Sequence, residues 1–183
     1  MKRIVVITSS PHKDGNSNKL AEAFIKGATS AGHQVSRFDA SSKEIKPCIG
    51  CNNCFSKEDC ACISKDDFNE AATLIMQSDM VVFATPVYWY TYPAKMKAVI
   101  DKFYSFLMTD RPETKNKETL LLAAAGDQNT AVFDLLLQEY KMTVSALQWS
   151  AQEPLLVPGV LAVNDILKQP GYLSQAENLG ESI

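Results

Sequence analysis

Five cysteines, at positions 48, 51, 54, 60 and 62, fall within fifteen residues, in the run Pro47-Cys-Ile-Gly-Cys-Asn-Asn-Cys-Phe-Ser-Lys-Glu-Asp-Cys-Ala-Cys-Ile63. The spacing C-x2-C-x2-C-x5-C, carried by Cys48, Cys51, Cys54 and Cys60, can wrap a [4Fe-4S] cluster, which needs four thiolates in a compact loop. Zinc accepts the same donors, although its usual pattern is two separated CxxC pairs. A loop of free thiols beside another group is the third reading. Secreted scaffolds spread their cysteines to staple distant segments, so this clustering points to a reducing compartment.

A second stretch, Lys2-Arg-Ile-Val-Val-Ile-Thr-Ser-Ser-Pro-His-Lys-Asp-Gly-Asn-Ser-Asn-Lys-Leu20, runs from an apolar strand through a turn of hydroxyls and amides into a helical pattern. The first N–H groups of such a helix have no acceptor within it, and they attract an anion, usually a phosphate. Ser10, Asn16, Ser17 and Asn18 can add side-chain donors, and His12 or Lys13 a cation. The loop is neither GxGxxG nor GxxxxGK[ST], which argues against a dinucleotide fingerprint and a P-loop. A third stretch, Pro86-Val-Tyr-Trp-Tyr-Thr-Tyr92, puts four aromatics in seven residues. It can cover a flat heterocycle or form an oligomer contact, and one surface can do both. Gly126-Asp-Gln-Asn129, after another apolar strand, is a third wall by position.

The elements that place these loops alternate strand and helix. Ile4–Ile7, Met80–Ala84 and Thr119–Ala125 are nearly continuous apolar runs, as fully buried parallel strands are. His33–Asp39 is a weak edge strand, and the segment from Glu153 to Val160 contains a fifth. Helical spacing is read after Asn18, from Asp66, from Pro93 to 107, from Thr130 to about Ala146, and from Gly171 to Leu179. The result is a doubly wound α/β sheet with helices on both faces, in which ligands bind outside the carboxyl ends of the strands. The 183 residues are expected to form a single domain (1–183) with a cysteine-rich loop at about 41–65. A net charge of −3 does not by itself exclude nucleic acid, but no Lys/Arg stripe supports it, and no nucleic-acid partner is expected. No apolar run approaches membrane-spanning length, and Met1-Lys-Arg leads into a strand, so a cytoplasmic protein with no membrane partner is expected.

Together these stretches resemble the NADPH-dependent FMN reductase family of flavodoxin-like proteins, and within it the iron–sulfur flavoprotein branch. The resemblance runs through Ser10–Asn18, the cysteine run with Asp66-Asp67, Asp79–Trp89, Pro93-Ala-Lys-Met-Lys97 with Asp101-Lys102, and Leu156-Val-Pro-Gly159. It implies a three-layer flavodoxin-like fold, a five-stranded parallel sheet of order 2-1-3-4-5, and bound FMN. By the same resemblance Ser10, Asn16 and Ser17 hold the FMN phosphate, with Asn18 nearby. His12 stands where the family usually has arginine, and Pro86, Val87, Tyr88 and Trp89 cradle the isoalloxazine beside Gly126. Members are usually dimers or tetramers, with the helix at 93–107 at or near the interface. Cys48, Cys51, Cys54 and Cys60 match the cluster spacing, but relatives without an established cluster share it, and Cys62 is a departure with no assigned role.

The activity so implied is oxidation of NAD(P)H and electron delivery to a flavin, quinone or other small acceptor. No side chain acts as catalytic acid, base or nucleophile, because the flavin carries the chemistry. One alternative is an electron-transfer protein with FMN and [4Fe-4S], fed by ferredoxin. Another is a non-catalytic flavin or thiol redox sensor.

Overall fold

Successive residues of the central strands face two different cores. In β1 (Arg3–Thr8), Val5 and Ile7 enter one core, Ile4 and Val6 the other. β3 (Met80–Pro86) divides Val81 and Phe83 from Met80, Val82 and Ala84 in the same way. β4 (Glu118–Ala124) divides Leu121 and Ala123 from Leu120 and Leu122. Burial on both faces is what makes these strands apolar throughout. β2 (Gln34–Asp39) lies at the edge, and Phe38 is its buried residue.

The structure is a computed structural model that describes residues 1–57, 60–109 and 111–183. Residues 58 and 59 of the cysteine loop and residue 110 lie outside the described part. The strands run parallel in the order β2-β1-β3-β4, and the far edge of β4 carries β5 (Ser150–Ala151) and β6 (Leu155–Val157). The expected order 2-1-3-4-5 is therefore present, with its fifth position split into two pieces. Gln152 still donates its N–H to the Thr119 carbonyl at 2.8 Å, but Pro154 has no N–H to continue the ladder.

One face of the sheet is covered by α1 (Asn16–Ser30) and α6 (Pro170–Glu181). The other is covered by α2 (Phe68–Gln77), α3 (Ala94–Asp101), α4 (Tyr104–Met108) and α5 (Asp134–Ala146). On this face Phe83 is the hub of an aromatic cluster, with Tyr92, Phe103 and Tyr140 at ring-centroid distances of 6.4, 6.3 and 6.1 Å. The single helix expected over 93–107 is broken at Lys102 and Phe103. Beyond the break, in α4, Phe106 is buried and Leu107 is exposed.

Lys102 at that break reaches inward to Asp66, and the two side chains are 2% and 0% exposed. Asp66 also accepts from the N–H of Lys46 (2.9 Å), the hydroxyl of Ser64 (3.1 Å) and the N–H of Phe68 (3.1 Å). Beside it Asp67 accepts from the Glu44 N–H at 2.8 Å, and its own N–H returns to the Glu44 carbonyl at 2.9 Å. Both ends of the cysteine loop are thereby tied to the start of α2. Burial pushes the Asp66 carboxyl up, but the hydrogen bonds from Lys102, Lys46 and Phe68 and the Lys102 charge outweigh it and hold the carboxyl below its ordinary value.

Asp66→Asn leaves Lys102 buried without its anion and should cost about 3–5 kcal/mol in urea unfolding, most of it recovered in the Asp66→Asn/Lys102→Met double variant. Because the folded carboxyl titrates below the unfolded one, its contribution is complete above about pH 4. The stability gap between wild type and Asp66→Asn should close as pH falls through the folded value.

Candidate functional site

Thr8, Pro86 and Ala124 end the three central strands at one edge of the sheet, where Thr8 pairs with Ala84 and Pro86 with Ala124. The chain reverses its direction of travel across the sheet between β1 and β3, so this edge holds the topological switch point. A cavity of about 270 Å³ opens there, bounded by the loops after β1, β3 and β4 and by residues 160–163. That is close to the lower end of the roughly 300–1,000 Å³ of ordinary small-molecule sites.

One end of the cavity is built to receive an anion. Gly15 precedes α1 in an extended conformation without a side-chain cap, and the first helical bond runs from the Lys19 N–H to the Gly15 carbonyl at 3.0 Å. The N–H groups of Asn16, Ser17 and Asn18 therefore have no acceptor within the helix. Ser17 is 1% exposed, and among the described residues its Oγ is the one buried side-chain N or O atom without a partner. A native protein seldom leaves a buried hydroxyl unsatisfied unless a ligand completes it. Ser10, Gly15 and His12 form the rest of this end. The Ser10 Oγ makes only long bonds with the backbone of His12, at 3.3 and 3.4 Å. A Cβ on Gly15 would sit 2.6 Å from that Oγ and 2.8 Å from the His12 carbonyl, so the glycine keeps the cradle open.

The two asparagines assigned to the phosphate make other bonds. Asn16 donates to the carbonyls of Val160 (3.1 Å) and Ala162 (3.0 Å) and accepts from the Ile166 N–H (3.1 Å). Asn18 donates to the carbonyls of His12 (2.9 Å) and Lys13 (3.3 Å) and accepts from Arg37 on β2 (3.0 Å). Asn16 borders the cavity, whereas the Asn18 side chain lies outside its lining. Both side chains brace the loops around the cradle, and their backbone N–H groups have no acceptor within the helix.

The other end is apolar. Pro86, Val87 and Tyr88 line it, with Gly126, Val160, Leu161 and Val163 opposite. The Val87 N–H donates to the Ala124 carbonyl at 2.9 Å, so the loop begins as an extension of the sheet. Tyr88 and Thr91 then exchange backbone hydrogen bonds of 3.0 and 3.2 Å around a two-residue turn. At its tip Trp89 has φ 47° and is 91% exposed. It stands outside the cavity lining, unlike the other three residues assigned to the ring. The wall at residues 160–163 was missed from sequence; its signal was the adjoining Leu156-Val-Pro-Gly159, where Gly159 at φ +73° turns the chain back over the site. A Cβ on Gly126 would meet the Leu161 side chain at 2.6 Å, so these two walls touch.

The cysteine loop forms a separate cavity of about 240 Å³, lined by Cys48, Cys51, Cys54 and Cys62 together with Lys102. Cys60, the fourth cysteine of the expected pattern, is not part of that lining. All five thiols are free. Among the described residues no group of three or more Cys, His, Asp or Glu is arranged to hold a metal ion. Burial, then the nearness of Cys62, Cys51 and Cys48, pushes the Cys54 thiol up.

The fold and the anion cradle define the class first: a three-layer flavodoxin-like α/β protein with its site at the β1/β3 switch point. The family model for NADPH-dependent FMN reductases matches residues 2–151, and the chain belongs to that family. An iron–sulfur flavoprotein of Archaeoglobus fulgidus is 36% identical over 115 residues, covering 63% of this chain and 50% of the relative. Another from Methanosarcina thermophila is 30% identical over 127 residues, covering 69% of this chain and 65% of the relative. The alignments thus span only about half to two-thirds of these curated relatives. The solved structure of an NAD(P)H:quinone oxidoreductase from Methanothermobacter marburgensis superposes with a TM-score of 0.77 over 99% of this chain and 96% of that one, at 18% identity, and so shares the fold. No helix among the described residues is long and apolar enough to cross a membrane.

Ser17→Ala should lower affinity for FMN about 10- to 100-fold, the effect of losing one hydrogen bond to a charged group at about 1.5–3 kcal/mol. The ligand-free protein should melt at the wild-type temperature, because the hydroxyl has no partner to lose. Flavin fluorescence titration and a thermal melt check the two halves.

Proposed function

We propose that this protein is an FMN-dependent oxidoreductase that oxidises NAD(P)H and reduces a flavin, quinone or other small acceptor. The observation that carries the reading is the unpartnered hydroxyl of Ser17 beneath the open N-terminus of α1, at the polar end of a cavity that is apolar at its other end. A phosphate on a planar group matches that polarity. Ser10, Ser17 and the first N–H groups of α1 bind the phosphate, and His12 stands beside it. Pro86, Val87, Tyr88 and Gly126 place the ring. Asn16 and Asn18 hold the loops that do this.

Bound FMN supplies two-electron chemistry, in which NAD(P)H, a proton and the acceptor become NAD(P)⁺ and the reduced acceptor. The chain's part would be to hold the ring with Val87 and Tyr88, which line the cavity, and to exclude water from it while donor and acceptor react in turn. The cavity lining contains no carboxylate, and hydride transfer needs none. The family name supports the donor, and the shared fold with a quinone oxidoreductase fits the acceptor class. The proposal includes one domain over the whole chain, a reducing cytoplasmic location consistent with five free thiols, and a homodimer or homotetramer assembled over exposed aromatics such as Trp89.

A second reading adds a [4Fe-4S] cluster in the cysteine loop. The favouring observation is that four thiols border one cavity with a buried lysine in its wall. The names of the Archaeoglobus and Methanosarcina relatives agree with it.

Anaerobic titration of the FMN-loaded protein with NADH and with NADPH tests the leading reading. The yellow flavin band should bleach with at least one nicotinamide and return on adding a quinone or free flavin. Failure to bleach with either, while dithionite still reduces the flavin, would exclude a nicotinamide-driven enzyme and leave the ferredoxin-fed and sensor alternatives.

A further inference from the structure

From the cysteine loop we infer that Cys62, and not Cys60, completes a thiol set with Cys48, Cys51 and Cys54 for a [4Fe-4S] cluster. The inference rests on the cluster reading of this loop and departs from the spacing pattern that names Cys60.

Positive φ at Gly50 (63°), Asn52 (55°) and Phe55 (51°) turns the chain sharply on either side of Cys51 and beside Cys54. Cysteines three residues apart thereby reach one cavity instead of alternating between faces. The loop is fastened at points that do not involve sulfur. Tyr104 donates to the Asn52 side chain at 3.1 Å, and the Arg111 guanidinium lies 4.2 Å from the Phe55 ring centre.

Cys62 enters the same cavity from the opposite limb of the loop, and its backbone is held on both sides by one residue. Its N–H donates to Asn69 Oδ1 at 2.9 Å, and its carbonyl accepts from Asn69 Nδ2 at 2.9 Å. The Ser64 N–H donates to the Cys62 Sγ at 3.4 Å. A backbone N–H aimed at sulfur favours the thiolate and is one of the means by which proteins tune cluster potential. Cys60 sits elsewhere. Its N–H donates to the Lys57 carbonyl at 3.2 Å, and Cys60 is not among the residues bordering the cavity.

The cavity suits a cluster better than an ion. Its volume of about 240 Å³ is that of several waters at about 30 Å³ each, and among the described residues no group of three or more Cys, His, Asp or Glu could hold a single ion there. In a [4Fe-4S] centre each thiolate takes a different iron, so separated sulfurs are what the chemistry requires. The assembled set is strongly anionic, and Lys102 in the wall supplies a buried positive charge whose own partner, Asp66, fixes its place.

The test is anaerobic reconstitution of wild type, Cys60→Ala and Cys62→Ala with iron and sulfide, reading iron and sulfide per chain and the low-temperature EPR of the reduced protein. FMN per chain in the same samples reports that each variant has folded. Cys60→Ala should keep wild-type iron, sulfide and EPR signal, and Cys62→Ala should lose the four-iron signal. Alkylation of the native wild-type holoprotein, followed by peptide mass analysis, should mark Cys60 and spare Cys62. Loss of the cluster in Cys60→Ala, or its retention in Cys62→Ala, overturns the assignment. Wild type with full FMN but no bound iron overturns the cluster reading and this inference with it, while the flavin reading stands.

Discussion

Asn16 joins the beginning of the chain to its end at the point where the site opens. Its amide donates to Val160 and Ala162 and accepts from Ile166, so the first residue of α1 holds a segment some 150 positions later. The residue is buried, and its side chain makes three bonds of 3.0–3.1 Å. Each is worth about 0.5–1.5 kcal/mol net, and loss of the amide would leave carbonyls and an N–H unpaired in a dry place, which costs more. This bond set keeps the wall at 160–163 in register with the strand ends. It also fixes the azimuth of α1, and hence where the free N–H groups of Asn16, Ser17 and Asn18 point.

The rest of the site depends on that constraint and on the sheet. β3 and β4 end level at Pro86 and Ala124, and β1 ends two residues earlier opposite Ala84, so their loops meet above one edge. Asn18 carries the same logic one turn of loop further: held by Arg37 from the edge strand, it holds the carbonyls of His12 and Lys13 in turn. The asparagines are thus committed to protein, while the serines of the same stretch are weakly bonded or free. A cradle in which the amides position and the hydroxyls are left available is a division of labour that spacing alone does not reveal. The cysteine loop is placed by a different device, the buried Asp66–Lys102 pair, so its geometry does not depend on the flavin cradle.

The sheet was readable in the sequence because parallel strands buried on both faces leave unbroken apolar runs such as Ile4–Ile7 and Met80–Ala84. The departures have equally local causes. Pro154 splits the fifth strand, and a helix whose apolar spacing reads as continuous breaks at Lys102, the residue that pairs with Asp66. Ser10, His12 and Ser17 and the Pro86–Tyr88 wall were legible because loop chemistry stands out at strand ends. The partners of Asn16 were not, since no periodicity links a residue to a carbonyl so far along the chain. Spacing counts residues, and so it points to Cys60, whereas Cys62 is the later cysteine that lines the cavity with Cys48, Cys51 and Cys54.

Trp89 separates two meanings of an aromatic loop. Both tip residues of its turn, Trp89 at φ 47° and Tyr90 at φ 70°, hold a left-handed conformation that glycine or asparagine would adopt at lower cost. Such residues cost about 1–3 kcal/mol each and persist only where the surroundings over-determine them. Here they do: Tyr88 and Thr91 bridge the turn, the Thr91 hydroxyl is bonded to Glu139 on α5, and Tyr92 is anchored in the core against Phe83. The anchored residues and the strained ones do opposite things. Tyr88 is bent back to line the cavity, while Trp89 and Tyr90 are held 91% and 51% exposed immediately beside it. The strain in the turn therefore holds an apolar outer surface at the edge of the site.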